Sequence, residues 1–97
     1  MIVKLHKTND NKKIVAVCDS NLIGKKFEEK NLQLDLTSDF YSGEEKPEEV
    51  ITKMFYDCYM INLVGKNSVN LALKHGIISE NNIVYIKKIP HAQAILL

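Results

Sequence analysis

Apolar residues recur along the first third of the chain in short runs that predict β-strands. Residues 2–5 and 14–18 are largely apolar and flank a polar turn at residues 9–11. Two such runs around a turn of asparagine and aspartate are typical of a β-hairpin. Residues 32–36 then alternate between leucine and polar side chains, which is the signature of a half-buried strand.

The middle of the chain carries helical spacing instead. A single apolar stripe is formed by Val50, Ile51, Met54, Phe55 and Cys58. The stripe predicts a helix over about residues 47–60, with a proline in its first turn. We expect a second helix to be capped by Asn67 or Ser68 and to stop at Gly76.

Turn residues and apolar runs predict the secondary structure of the remaining segments. Residues 22–30 predict a connection with one helical turn or an extended bend, and residues 62–65 predict a short extended link. The continuous apolar run at residues 83–86 predicts a central strand. Residues 89–97 predict an extended segment, in which Pro90 confines the start to an edge or an irregular position.

The order of these elements predicts an α+β fold. We expect a single compact domain over residues 1–97, with a small mixed or antiparallel sheet and two helices packed on one face. A chain of 97 residues has room for one domain with one modest core. No apolar run approaches the roughly 20 residues that span a bilayer, and the N-terminus lacks a signal-peptide pattern. We therefore expect a cytoplasmic protein with no membrane partner.

The basic residues limit how the chain can bind anions. All 13 are lysine, so bidentate guanidinium contacts with phosphate or guanine are excluded. The net charge is +1, but residues 1–30 carry +3, residues 31–60 carry −5 and residues 61–97 carry +3. Such a separation is typical either of an interaction face or of exposed surfaces that merely differ in sign.

Three segments hold candidate binding residues. In residues 65–68, Lys66 precedes a predicted helix and suits an anion, although a turn and a helix cap explain this segment more simply. Lys25 and Phe27 would meet RNA phosphate and base if Phe27 were exposed, and its burial in the core is the alternative that we favour. His91 lies in a polar segment of an apolar tail, either as a binding residue or as an edge-strand histidine bonded to backbone.

The spacing of the cysteine and histidine residues does not indicate a catalytic site or a metal site. A nucleophile would require a Cys–His pair that includes His91, and nothing in the spacing of Cys18 or Cys58 supports one. The histidines and cysteines share no metal-ligand spacing. Free cysteine is most often a small buried hydrophobe, so we expect no catalytic residue, metal or cofactor.

Five segments together give the chain a family resemblance. They are residues 16–19 (Ala-Val-Cys-Asp), residues 22–29, residues 40–44, residues 62–65 (Asn-Leu-Val-Gly) and residues 90–93 (Pro-His-Ala-Gln). In this order and spacing they resemble the archaeal DUF424 family of small uncharacterised proteins. The resemblance runs nearly end to end, and it implies a compact α+β domain in an archaeal cytoplasm.

The resemblance supplies no activity, so function is a hypothesis at this point. We expect a non-catalytic module that binds RNA or a ribosomal particle in translation. One alternative is an adaptor whose acidic middle segment meets a basic protein, and another is a ligand-binding or enzymatic domain in which His91 acts with Glu28 or Cys18. The candidate binding residues are Lys66, from the helix start, and those carried by the family pattern, namely Lys25, Phe27, Glu28, Asn62, His91 and Gln93.

Overall fold

The computed structural model describes residues 1–96, and these form eight strands and two α-helices. The strands are β1 (Ile2–Lys7), β2 (Lys13–Cys18), β3 (Lys26–Glu29), β4 (Leu32–Asp35), β5 (Glu44–Glu45), β6 (Met60–Val64), β7 (Ile83–Ile86) and β8 (Ile89–Ile95). The helices are α1 (Glu48–Phe55) and α2 (Lys66–Lys74). The predicted extended segment was drawn to Leu97, which lies outside the described residues.

Six of the strands form one mixed sheet in the order β5-β1-β2-β6-β8-β7. The predicted N-terminal hairpin is confirmed, because β1 and β2 pair antiparallel from Ile2 opposite Cys18 to Lys7 opposite Lys13. Only the central pair, β2 and β6, runs parallel. The α+β fold with a small mixed sheet is thus confirmed for the described residues.

The interpretation of residues 62–65 as a link is wrong, because β6 is one of the two central strands. Ile61 and Leu63 face one core, while Val64 belongs to a core on the opposite face. A short strand that is buried on both faces loses the alternation of apolar and polar residues. Periodicity therefore could not identify it.

The roles predicted for the last two strands are exchanged in the structure. The apolar strand β7 lies at the sheet edge, while β8 lies between β6 and β7. Pro90 is tolerated in β8 because the pairing with β6 begins one residue later, at His91 opposite Val64. Its missing N–H therefore removes no hydrogen bond between these two strands.

Both helices pack on one face of the sheet, as predicted. The core on that face joins Ile51 and Phe55 of α1 with Val69 and Ala72 of α2 and with inward-facing strand residues. The helix α1 ends at Phe55 rather than near residue 60, since the N–H of Tyr59 already bonds to the sheet. Among residues 1–96, neither helix has the length and apolarity needed to cross a membrane.

The opposite face of the sheet is partly covered by a second, two-stranded sheet. The strands β3 and β4 form an antiparallel hairpin, so residues 22–30 contain a strand in addition to a short 3-10 helix at Ser20–Leu22. Leu34 and Leu36 pack with Ala16 and Cys18 in a core on this face. The alternating leucines were correctly predicted as a strand, and their partner β3 was missed.

Candidate functional site

A cleft of about 310 Å³ opens where the parallel strands β2 and β6 end. Asp19 directly follows β2, and Gly65 directly follows β6. Ligands of open sheets bind outside the carboxyl ends of parallel strands. The structure thus places a cleft where the topology favours a binding site.

The carboxylate of Asp19 holds the start of α2. It accepts the N–H of Asn67 at 3.0 Å, and it accepts the N–H and the hydroxyl of Ser68, both at 2.8 Å. Asp19 is only 5% exposed. The first turn of α2 is therefore capped by a residue from another strand, and neither Asn67 nor Ser68 caps it as predicted.

Gly65 is required by this arrangement for two reasons. Its φ angle is 104°, in the left-handed region that residues with a Cβ avoid. A Cβ at this position would also lie 2.3–2.7 Å from the side chain of Asp19. A glycine therefore lets the carboxylate approach the helix start.

Two lysines bring positive charge to the same cleft. Lys66 is the first residue of α2, and Lys88 lies in the turn between β7 and β8. Both are exposed, and within residues 1–96 neither forms an ion pair. Asn21 and Asn67 lie beside them and add side-chain donors.

The turn that carries Lys88 has an unusual backbone. Lys87 and Lys88 have φ angles of 52° and 65°, as in the two-residue turns that normally contain asparagine and glycine. The turn is held by a hydrogen bond of 3.0 Å from the N–H of Lys87 to the Glu29 carboxylate of the neighbouring hairpin. Left-handed conformations cost a lysine about 1 kcal/mol or more, so the fold accepts a cost to place lysines here.

Three of the predicted binding residues share the sheet face opposite the helices. Asn62 on β6 lies directly opposite Gln93 on β8, and His91 lies two pairs further along, on the same face of the sheet. The ring of His91 donates its Nδ1 proton to the carbonyl of Leu63, at 3.0 Å, because a carbonyl can only accept. Its Nε2 is therefore the acceptor atom of the neutral ring.

Of the other predicted residues, Lys66 lines the cleft, while Lys25, Phe27 and Glu28 lie at or on the strand β3 and do not join this group. Phe27 packs toward the core beneath the hairpin, which agrees with the alternative of a buried ring. Glu28 pairs with Lys26 at 3.5 Å in an exposed ion pair. Lys25 is exposed, and its backbone bonds to Leu22 and Leu36.

The Cys–His pair that a nucleophilic enzyme around His91 would need is not assembled. Cys18 and His91 are separated by the intervening strand β6, which places them about 10 Å apart at ordinary strand spacing. Cys18 is fully buried, and burial together with the neighbouring Asp19 charge raises the pKa of its thiol to about 12. A thiol with such a pKa is a poor nucleophile.

The acidic middle segment is partly neutralised by its neighbours. The carboxylate of Glu45 accepts hydrogen bonds from the N-terminal ammonium group and from the hydroxyl of Ser20. Glu44 forms an ion pair with Lys46, and Asp57 forms one with Lys13. These pairs are exposed, and such pairs contribute little to stability. Within residues 1–96, no three His, Cys, Asp or Glu side chains are grouped so that they could hold a metal ion.

The chain is similar to a known protein family and to a solved structure. A family model described as a protein of unknown function, DUF424, matches residues 6–97. The chain belongs to the DUF424 family. A crystal structure of an uncharacterised conserved protein from Methanopyrus kandleri is similar to this DUF424 chain, with a TM-score of 0.81 and 25% sequence identity over 99% of this chain and 90% of the other. The search of curated proteins found no match.

The cleft collects residues from four of the five segments that carry the DUF424 resemblance. These residues are Asp19, Leu22, Gly65 and Pro90. No structural role was predicted for Asp19 from the sequence, because its partners lie 48 and 49 residues away along the chain. The sequence feature that could have indicated this role is an aspartate directly after an apolar strand.

Proposed function

We propose that this DUF424 protein is a non-catalytic, RNA-associated module of the archaeal cytoplasm that works with the translation machinery. The observation that supports the proposal is the meeting of Lys66 and Lys88 at one cleft. Ammonium groups and side-chain amides are the groups that contact phosphate when arginine is absent. A second concave surface is lined by Lys12 and Lys13, but their ammonium groups pair with Asp10 and Asp57. Those of Lys66 and Lys88 form no ion pair within residues 1–96.

The arrangement of charge favours an anionic ligand over a neutral one. The carboxylate of Asp19 is directed at the helix start and accepts three hydrogen bonds there, so its charge is engaged by α2. Lys66 and Lys88 therefore supply the positive charge that remains available to an anion from solution. A phosphodiester backbone offers repeated charges of this kind.

The overall charge sets the expected strength of the interaction. With a net charge of +1, the protein makes few phosphate contacts and releases few counterions. We therefore expect weak, salt-sensitive binding to RNA alone and tighter binding on a ribonucleoprotein. This expectation fits a module that docks beside other factors.

Binding of a labelled single-stranded RNA of about ten nucleotides, followed by fluorescence anisotropy, tests the contact with phosphate. The variant Lys66→Gln/Lys88→Gln is expected to bind more weakly and to lower the slope of log affinity against log salt by about 1.4, since about 0.7 is lost per phosphate contact on a single strand. The matched control is Lys7→Gln/Lys74→Gln, which removes two exposed lysines at the far ends of β1 and α2.

The control variant is expected to retain the affinity of the unmodified chain. Equal losses in both double variants would show that charge acts without regard to position, and the cleft would be rejected. An absence of RNA binding at low salt would reject direct RNA contact altogether.

The translation link is tested by sedimentation of the tagged protein from native lysate, with and without ribonuclease. Migration with ribosomal particles that ribonuclease abolishes supports the proposal. A salt-sensitive complex with a basic protein that ribonuclease leaves intact would select the adaptor role of the acidic segment instead.

A further inference from the structure

Asn62 is a buried polar side chain in the middle of the sheet. It is 8% exposed, and it lies between Ala16 on β2 and Gln93 on β8. Among the described residues, its carboxamide forms no hydrogen bond. Enclosing an amide without a partner is unfavourable, so the carboxamide at this position of a central strand depends on contact with solvent or a ligand through its exposed atoms.

The tip of this side chain is accessible from the sheet face. No fully enclosed side-chain nitrogen or oxygen among residues 1–96 lacks a hydrogen-bond partner. Because the carboxamide of Asn62 has no protein partner, its atoms must account for part of the small exposed area. An incoming ligand would therefore find both a donor and an acceptor at the surface.

The neighbours of Asn62 also have free hydrogen-bonding capacity. The only hydrogen bond of the Gln93 amide is a long one of 3.5 Å from its Nε2 to the sulfur of Met60, which is a weak acceptor. The Nδ1 proton of His91 is engaged by the Leu63 carbonyl, so Nε2 faces no protein partner within residues 1–96.

We propose that the face formed by Asn62, Gln93 and His91 binds an unpaired nucleobase, with adenine preferred. This inference rests on the proposed RNA association and adds a second contact, on the sheet face that adjoins the cleft at His91. The shared chemistry is a planar base edge with adjacent donor and acceptor atoms. Either a single-stranded RNA or a free nucleotide can present it.

The donor and acceptor pattern favours a base over a peptide or a purely anionic ligand. A carboxamide pairs with the N6 amino group and the N7 atom of adenine through two hydrogen bonds. Directly opposed side chains on neighbouring strands have Cβ atoms about 5 Å apart, so Asn62 and Gln93 can contact one base together. Single-stranded RNA is commonly read in this way on a sheet surface, with its bases unstacked.

The test compares oligoadenylate, oligouridylate and an abasic oligomer, each of about eight nucleotides, against the full chain. The side-chain NH₂ resonances of Asn62 and Gln93 are followed by NMR, and affinities are measured by anisotropy. We expect both resonances to move with oligoadenylate and to stay in place with the abasic oligomer. Adenosine monophosphate alone is added in a separate titration, and an equal shift there would identify a free nucleotide as the source of the base.

Alanine variants of the proposed base-binding residues measure how much each side chain contributes to the affinity. Gln93→Ala and Asn62→Ala are each expected to weaken oligoadenylate binding by about tenfold, as loss of a base contact does, and to leave the affinity for the abasic oligomer unchanged. The control Gln33→Ala removes an exposed amide from the outer side of the hairpin and is expected to have no effect. Gln93 is exposed, so its variant folds even if Asn62→Ala does not.

The failures of the two proposals are distinguishable. Equal affinity for oligoadenylate and the abasic oligomer, with unmoved Asn62 and Gln93 resonances, would overturn the base site and leave the phosphate contact intact. An absence of binding to every oligomer and to adenosine monophosphate would overturn both.

Discussion

At the scale of single residues, Gly65 shows how one position can be fixed by two independent requirements. Its positive φ favours glycine in any protein, and the nearby Asp19 side chain leaves no space for a Cβ. Gly24 has a similar φ of 84°, but nothing lies within 4 Å of the place where its Cβ would be. A side chain at Gly24 would therefore meet backbone strain alone, whereas a side chain at Gly65 would meet both backbone strain and a steric clash.

We expect Gly65→Ala to lower the free energy of unfolding by about 3 kcal/mol and Gly24→Ala by about 1 kcal/mol. The smaller value is the cost of a left-handed alanine, and the larger adds displacement of a buried carboxylate that holds three hydrogen bonds. Urea unfolding followed by circular dichroism measures both. Equal losses in the two variants would contradict the close approach of Asp19 to Gly65.

At the scale of the elements, the start of α2 depends on a residue outside the helix. Its N-cap position is Gly65, which has no side chain to accept the first N–H groups. The carboxylate of Asp19 takes that role from the end of β2. The helix and the parallel strand pair are therefore stabilised together.

We expect Asp19→Ala to lower the free energy of unfolding by about 2–3 kcal/mol, since hydrogen bonds to a charged group are lost and buried donors are left unpaired. Amide hydrogen exchange of the first turn of α2 is expected to accelerate. The matched control is Asp57→Ala, which removes an exposed carboxylate whose ion pair with Lys13 contributes little to stability. If both variants had the same stability, Asp19 would not be the cap.

The elements also show which local patterns were sufficient for prediction. The hairpin β1–β2, the strand β4, the start of α1 and the stop of α2 near Gly76 follow from turn residues, proline and apolar spacing. The strand β6 was missed because burial on both faces removes its alternation. The edge position of β7 was missed because the apolar residues of a strand do not indicate how many other strands pair with it.

At the scale of the whole molecule, burial on both faces of the sheet makes stability sensitive to alkaline pH. Burial raises the pKa of Cys18 to about 12 and that of Cys58 to about 11, from 9.0. It also raises the pKa of Tyr41 above its ordinary value of 10.0. In the unfolded chain these groups lose their protons first, so rising pH favours unfolding.

We expect the free energy of unfolding to fall as pH rises from about 9 to about 12, and to fall less steeply in Tyr41→Phe above about pH 10. The variant keeps the buried ring and removes only a hydroxyl, which has no hydrogen-bond partner among the described residues. Urea midpoints at several pH values measure both slopes. Parallel slopes in the two proteins would show that the Tyr41 hydroxyl is not protected by burial.

The sequence by itself determined the fold class, the packing of both helices on one face of the sheet and the resemblance to the DUF424 family. These follow from local spacing, turn residues and segment order, which act over a few positions along the chain. Only the tertiary structure decided that β6 is central, that Asp19 caps α2, that Lys66 and Lys88 meet at one cleft, and that Asn62 lies opposite Gln93. Each of these depends on contacts between residues at least 22 positions apart in the sequence, where chain register and burial, rather than local preference, set the neighbours.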